Sequence, residues 1–169
     1  PDLLNMAERR MELNGQTGFE FKVGSAHELP LESESVDVVY GMAILHHLDL
    51  ALASKEVHRV LKKGGRAIFL EPVRDSKLVW FIRNLIPYTS PDVSPFERPL
   101  TESELQDFAA PFSGFKSRAF SLPFVNLVEV LGISEKLLHS AIRIDGKILK
   151  ALPFLKHFAA IRVFEVRKD

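Results

Sequence analysis

Two short apolar runs set the frame of the chain. Val36–Val39, carrying one acid at Asp37, and Ala67–Leu70 are each too short for a helix. Such runs are how strands buried on both faces of a parallel sheet read. Between them, Asp49–Lys62 places Leu52, Val57, Val60 and Leu61 on one stripe and Lys55, Glu56, Arg59 and Lys62 toward water, the pattern of an amphipathic helix. Lys62 and Lys63 suit the last turn of that helix and Gly64-Gly65 its stop. Strand, helix and strand make a βαβ unit, and the rest of Val23–Pro72 feeds it.

Elsewhere the pattern predicts a helix over Pro1–Leu13, capped by Gly15, and an alternating strand at Phe19–Val23. After Pro72 comes an apolar helix at Ser76–Ile86, then Pro87, Pro91, Pro95 and Pro99 in close succession. Thr101-Glu102-Ser103-Glu104 has the form of a capping box opening a helix to about Ala110. A strand at Phe115–Leu122, helices at Val125–Leu131 and Ser134–Leu149, and a last strand at Ala159–Val166 follow. The chain reads as one α/β domain over 1–169, with 73–114 as a lid or insertion over an acceptor site.

Composition narrows the chemistry. Lys+Arg and Asp+Glu balance at 22 each, so no global field favours nucleic acid, and no nucleic-acid partner is expected. The absence of cysteine removes disulfides and thiolate metal sites and fits a cytoplasmic setting. No apolar run reaches the roughly 20 residues of a membrane-spanning helix. Gly64-Gly65 lacks the phosphate-loop pattern and precedes a strand. His46 and His47 have no further ligand at helical spacing, so no metal site is expected; a general base or a packed core histidine is the choice left open. In open α/β sheets ligands sit beyond the carboxyl ends of the strands. Here those ends are Gly24-Ser25-Ala26, Tyr40-Gly41-Met42 and Glu71-Pro72.

The ordered series GSAHELPLESESVDVVYGMAILHHL and EVHRVLKKGGRAIFLEP resembles the class I S-adenosylmethionine-dependent methyltransferases, small-molecule branch, often called type 11. The family's G-x-A-x-x-L-P-F, F-D-x-V, L-H-H and R-V-L-K-P-G-G stand here as Gly24–Leu31, Val36–Val39, Leu45–His47 and Arg59–Gly65. The resemblance covers roughly the first 70 residues.

It implies a Rossmann-like sheet of strand order 3-2-1-4-5-7-6 and S-adenosylmethionine as cofactor. Ser25 and Ala26 would lie by the adenine, although the family often carries Asp at the Ser25 position. Tyr40, Gly41 and Met42 would flank the methionine portion. The glycine-rich loop after strand 1 and the acid ending strand 2 have no counterpart in the chain. PDLLNMAERR aligns just past that acid, so an N-terminally truncated sheet is expected, with strands 3 to 7 present.

Methyl transfer depends mostly on alignment, and a base is needed only where the acceptor must lose a proton. His47 is the first candidate, His46 the second and Glu71 the third. Trp80, Phe81, Tyr88 and Phe96 suggest a hydrophobic small-molecule acceptor, and Arg83 and Arg98 could pair an acidic group on it. Two alternatives stand beside this: a non-catalytic, truncated interaction module of the same fold, and a nicotinamide-dependent Rossmann oxidoreductase. The sequence carries no signal for the oligomeric state.

Overall fold

A computed structural model describes residues 2–74, 76, 99–132 and 134–169. Helix α1 spans Asp2–Leu13 and ends at the expected glycine: Gly15 takes φ +64 and its amide donates to the Glu12 carbonyl at 2.9 Å. The Gln16 amide reaches back to the Met11 carbonyl at 3.0 Å, which completes a Schellman cap.

One mixed sheet follows, built from β1 (Val36–Met42), β2 (Leu61–Pro72), β3 (Gly114–Phe120) and β4 (Ile161–Arg167). Their spatial order is β1-β2-β4-β3. The first two are parallel and joined by helix α2 (Leu50–Val60), while β4 runs antiparallel to both of its neighbours. This is the 4-5-7-6 half of the expected strand order.

Five expectations need correction. Phe19–Val23 forms no strand: nothing among the described residues offers it a ladder, and an alternating pattern without a partner has no backbone bonds to gain. The first apolar run is not covered on both faces either. Val39 packs against the core, but Val38, Tyr40 and Met42 on the other face are 50%, 64% and 62% exposed.

The βαβ helix is shorter than its pattern. Asp49 is its N-cap, accepting from the Ala51 and Leu52 amides at 3.0 and 3.1 Å, and it stops at Val60. Val57, Val60 and Leu61 are buried as expected, but Leu52 is exposed and Glu56 buried, the reverse of their expected places. The glycine pair is therefore not the helix stop but lies within β2. There Gly64, at φ +77, absorbs a register break in which Val36 faces Leu61 and Val38 faces Arg66.

The core lies on the sheet face beneath α2 and α3 (Glu102–Ala109). The capping box holds: Thr101 Oγ1 accepts from the Glu104 amide at 3.3 Å and Glu104 Oε2 from the Thr101 amide at 2.9 Å. Phe69, Phe108 and Phe164 meet with ring centroids 5.2, 5.4 and 5.9 Å apart, and such aromatic pairs add about 0.5–1.5 kcal/mol each beyond their buried area. Ser54 Oγ pins α2 to α3 by donating to the Phe108 carbonyl at 2.5 Å.

On the far strand, α4 (Pro123–Val130) packs on α5 (Glu135–Ala151), and α5 lies against β3. Buried Asp145 holds the corner there, accepting from the Ser121 and Leu122 amides at 3.0 and 2.9 Å. The expected helix Ser76–Ile86, apart from Ser76, and the prolines up to Pro95, with Trp80, Phe81, Arg83, Tyr88, Phe96 and Arg98, lie outside the described residues.

Gly41 is fixed by packing. A Cβ there would stand 2.5 Å from Cδ1 of Phe69 and 3.0 Å from Cγ2 of Ile44. Gly41→Ala is expected to cost about 1–3 kcal/mol, or roughly 2–4 °C per kcal/mol in thermal unfolding of a chain this size. Gly114→Ala, whose nearest neighbour atom lies at 3.7 Å, serves as the near-neutral control. Equal melting temperatures for the two variants would contradict the packing assignment.

Candidate functional site

The carboxyl ends of β1 and β2 are joined by a single side chain. Met42 stands opposite Leu70, so the next residue of β2, Glu71, lies just beyond the end of β1 on the core-facing side. Its carboxylate has no solvent exposure. Oε1 accepts from the amides of Ile44 and Leu45, both at 2.9 Å, and Oε2 lies 2.8 Å from Nδ1 of His46. One acid thus satisfies the start of the short 3-10 turn Leu45–His47 and orients its first histidine.

The turn is entered through a strained residue. Ala43 sits at φ +51, a conformation that costs an L-residue about 1–2 kcal/mol. Its amide extends the β1–β2 ladder with a 2.8 Å bond to the Leu70 carbonyl, and the Glu71 bonds begin at the next residue. The chain is therefore held on both sides of the strained position.

These contacts separate the candidate bases. Glu71 is buried and bonded to three groups, and these bonds orient the turn. His46 is buried with it, while His47 is exposed and its ring centroid lies 4.0 Å from that of His46 at a 39° tilt. Beside this group Arg162 is 1% exposed and stands opposite Glu71 across β2 and β4; its Nη2 lies 3.0 Å from Oε2 of Glu102. Among the described residues no group of three or more possible ligands gathers for a metal.

The other expected cofactor residues lie on a loop tied to this end of the sheet. Ser25 closes a tight turn: its carbonyl accepts from the Glu28 amide at 3.0 Å and its Oγ from the His27 amide at 3.2 Å. His27 Nε2 then accepts from the Asp49 amide at 3.0 Å, two residues past His47. Ser25 is exposed and Ala26 half-buried. Gly24 is small for a packing reason, since a Cβ would lie 2.5 Å from Cδ of Pro30. Gly41 is likewise closed off by Phe69, which leaves Tyr40 and Met42 as the open ones of the three expected residues on β1.

Sequence reasoning missed the pair that docks this loop. Glu56 Oε1 accepts from the Leu29 amide at 2.6 Å, and Arg59 clasps both Glu56 oxygens at 2.7 and 2.8 Å. The same guanidinium donates to the Leu31 carbonyl at 2.8 Å and to Ser33 Oγ at 3.2 Å. The acidic stretch after Pro30 is thus bound to α2 and is not merely a solvated loop. The signal was present as an E-x-x-R spacing on one helix face, one turn apart.

The shallow hollow of about 330 Å³ formed by Ser113–Lys116, Glu165, Arg167 and Asp169 belongs to the opposite end of β3 and β4 from Arg162, and so lies away from this site.

Residues 1–69 match the family described as a methyltransferase domain, type 11. The ubiquinone/menaquinone biosynthesis C-methyltransferase UbiE of Rubrivivax gelatinosus is 38% identical over 84 residues, 46% of this chain and 32% of that protein. Over residues 1–69 the chain is thus similar to the S-adenosylmethionine-dependent methyltransferases. A sarcosine/dimethylglycine N-methyltransferase of Aphanothece halophytica is 35% identical over 82 residues, 43% of this chain and 30% of that one. The chain spans about a third of the length of these curated relatives.

Among solved structures, a geranyl diphosphate C-methyltransferase of Streptomyces coelicolor, crystallised with S-adenosyl-L-homocysteine, matches with a TM-score of 0.57 and 17% identity. That match covers 94% of this chain and 57% of the other, and it shows the fold. Within the matched residues, Leu45–His47 is the turn that Glu71 holds, and the loop after Gly24 is the one that Glu56 and Arg59 dock.

The clasp has a pH signature. The hydrogen bond from Arg59 holds the Glu56 carboxyl below the usual range; burial opposes this, and the Leu29 amide and the Arg59 charge add to it. A carboxyl with a depressed folded pKa stabilises the fold above its unfolded value of about 4.3 and loses that contribution as pH falls through the folded value. Glu56→Gln should therefore melt below the parent at pH 7, with the gap narrowing as pH drops below about 4. A gap independent of pH would show that the charge of Glu56 plays no part.

Proposed function

We propose that the chain forms the acceptor-side half of a site transferring a methyl group from S-adenosylmethionine to a small, hydrophobic acceptor. The observation that carries this reading is the buried Glu71 carboxylate, which fixes the turn after β1 where two parallel strands end side by side. The bound cofactor supplies an electrophilic methyl group on a sulfonium. Tyr40 and Met42, exposed beside the strained Ala43, would wall its methionine portion, with the Gly41 backbone between them. Ser25 and Ala26, on the docked loop, would face its adenine.

The described residues fit one wall of such a ligand. The second wall, with the glycine-rich loop, would come from strands paired to the outer edge of β1. That edge has no partner among the described residues, and its Val38, Tyr40 and Met42 are left exposed. An open edge of this kind favours pairing.

His47 would take the acceptor's proton where one must leave. It is exposed, and it leans on a histidine whose ring is set by Glu71. His46 is a positioning residue in this scheme. The relatives named for quinone biosynthesis and for geranyl diphosphate support an apolar acceptor, and the sarcosine enzyme shows that the family also serves polar amines.

Calorimetry on the 169-residue chain should give weak or no binding of S-adenosylmethionine, and a longer protein that pairs the β1 edge should bind it at micromolar concentrations. Micromolar binding by the 169-residue chain alone would overturn the two-wall reading. In the longer protein, His47→Ala should leave cofactor affinity intact and lower turnover by about 10²- to 10⁴-fold. Unchanged turnover would remove His47 from the chemistry.

A further inference from the structure

Helix α5 carries an arrangement that methyl transfer does not use. Over its 17 residues, about 25 Å of helix, Lys136, Arg143 and Lys150 repeat every seven positions, and Lys147 falls between the last two. Residues seven apart on a helix lie within about 20° of each other, so these cations form one stripe. All four are exposed and, among the described residues, none is paired with an acid. They stand away from Ala141 and Asp145, the buried positions that seat the helix.

A solvated helix face ordinarily mixes signs, because opposite charges three or four apart support it. Arg143 with Lys147 and Lys147 with Lys150 are like-charge neighbours at those spacings, which weaken a helix. The helix has two acids. Asp145 is buried and spent on the Ser121 and Leu122 amides, and Glu135 is in the first turn. The stripe is thus a local excess of positive charge on a chain whose charges balance overall.

A second row runs beside the first. Leu137 and Ile144 each directly follow a stripe cation and are 42% and 51% exposed. Where the helix ends, the 3-10 turn Pro153–Phe158 adds Phe154, 63% exposed, with Lys156 and His157 next to it and also open to solvent. A basic ridge flanked by exposed aliphatic and aromatic side chains is the pattern of a helix that lies in a membrane interface, with cations on anionic headgroups and apolar groups among the acyl chains. Nucleic acid would satisfy the cations but leave the apolar row in water. No helix among the described residues is long and apolar enough to cross a membrane, so contact would be with one leaflet.

We propose that the outward face of α5 and the turn after it dock this protein on an anionic phospholipid surface. The proposal is independent of the methyl-transfer reading.

The test is co-sedimentation of the intact protein with vesicles of phosphatidylcholine alone and of phosphatidylcholine mixed with phosphatidylglycerol, over a range of salt. Binding is expected on the mixed vesicles only and should weaken as salt rises. The combined variant Lys136→Gln, Arg143→Gln, Lys147→Gln, Lys150→Gln should weaken it by up to about fivefold per cation removed. The variant Ile144→Ser with Phe154→Ser should weaken binding while keeping the same salt dependence. Circular dichroism and melting temperature confirm that both variants are folded. No sedimentation with the mixed vesicles, equal binding to phosphatidylcholine alone, or parental binding by the charge variant would overturn the proposal. So would stronger retention on an RNA homopolymer than on vesicles with no effect of the serine variant, which would make the stripe a nucleic-acid contact.

Discussion

Everything at the candidate site depends on a carboxylate that never meets solvent. Glu71 accepts from two consecutive amides and faces a histidine nitrogen, all within 2.9 Å. In a low-dielectric interior such a group is tolerable only when its acceptor capacity is filled, and removing the partner of a buried charge typically costs about 3–5 kcal/mol. The sheet supplies the position: parallel pairing of β1 with β2 ends with Met42 opposite Leu70, and the next residue of β2 reaches over the end of its neighbour. Strain at Ala43 is held in place by the bonds on either side of it. The same few contacts decide which histidine is buried and which is presented.

A second set of contacts extends this end of the sheet. Glu56 and Arg59 use one turn of α2 to hold three backbone groups and one hydroxyl of the loop between Leu29 and Ser33. His27 links that loop to the amide of the helix cap at Asp49. Helix α2 therefore does more than cross from one strand to the next, since it also fixes the loop that carries Ser25 and Ala26 relative to the turn after β1. Tyr40 and Met42 are open because they point to the face away from the core, while Gly41, between them, points to the core and is closed by Phe69.

Local signals were the most legible. The Thr101–Glu104 capping box, the Gly15 cap and the alternating last strand formed where their patterns placed them, because each depends on neighbours within a few residues. The family followed from an ordered set of short motifs in the same way. What could not be read depends on distant partners. Phe19–Val23 has a strand's alternation without a ladder. Glu56 looks solvent-facing until the loop from 29 to 33 packs over it, and the Gly64-Gly65 pair resembles a helix stop until β2 is seen to begin at Leu61. Glu71 was visible as a residue at a strand end. Its role required knowing that the turn 25 residues earlier would fold back onto it.

The most direct measurement is hydrogen exchange at the Ile44 and Leu45 amides, followed by NMR. Ile44 is exposed and Leu45 buried, and Glu71 accepts from the amides of both. Both amides are expected to exchange as slowly as amides within the β1–β2 ladder and to lose that protection in Glu71→Ala. Rapid exchange at both positions in the parent protein, or slow exchange that survives in Glu71→Ala, would contradict the claim that this carboxylate holds the site together.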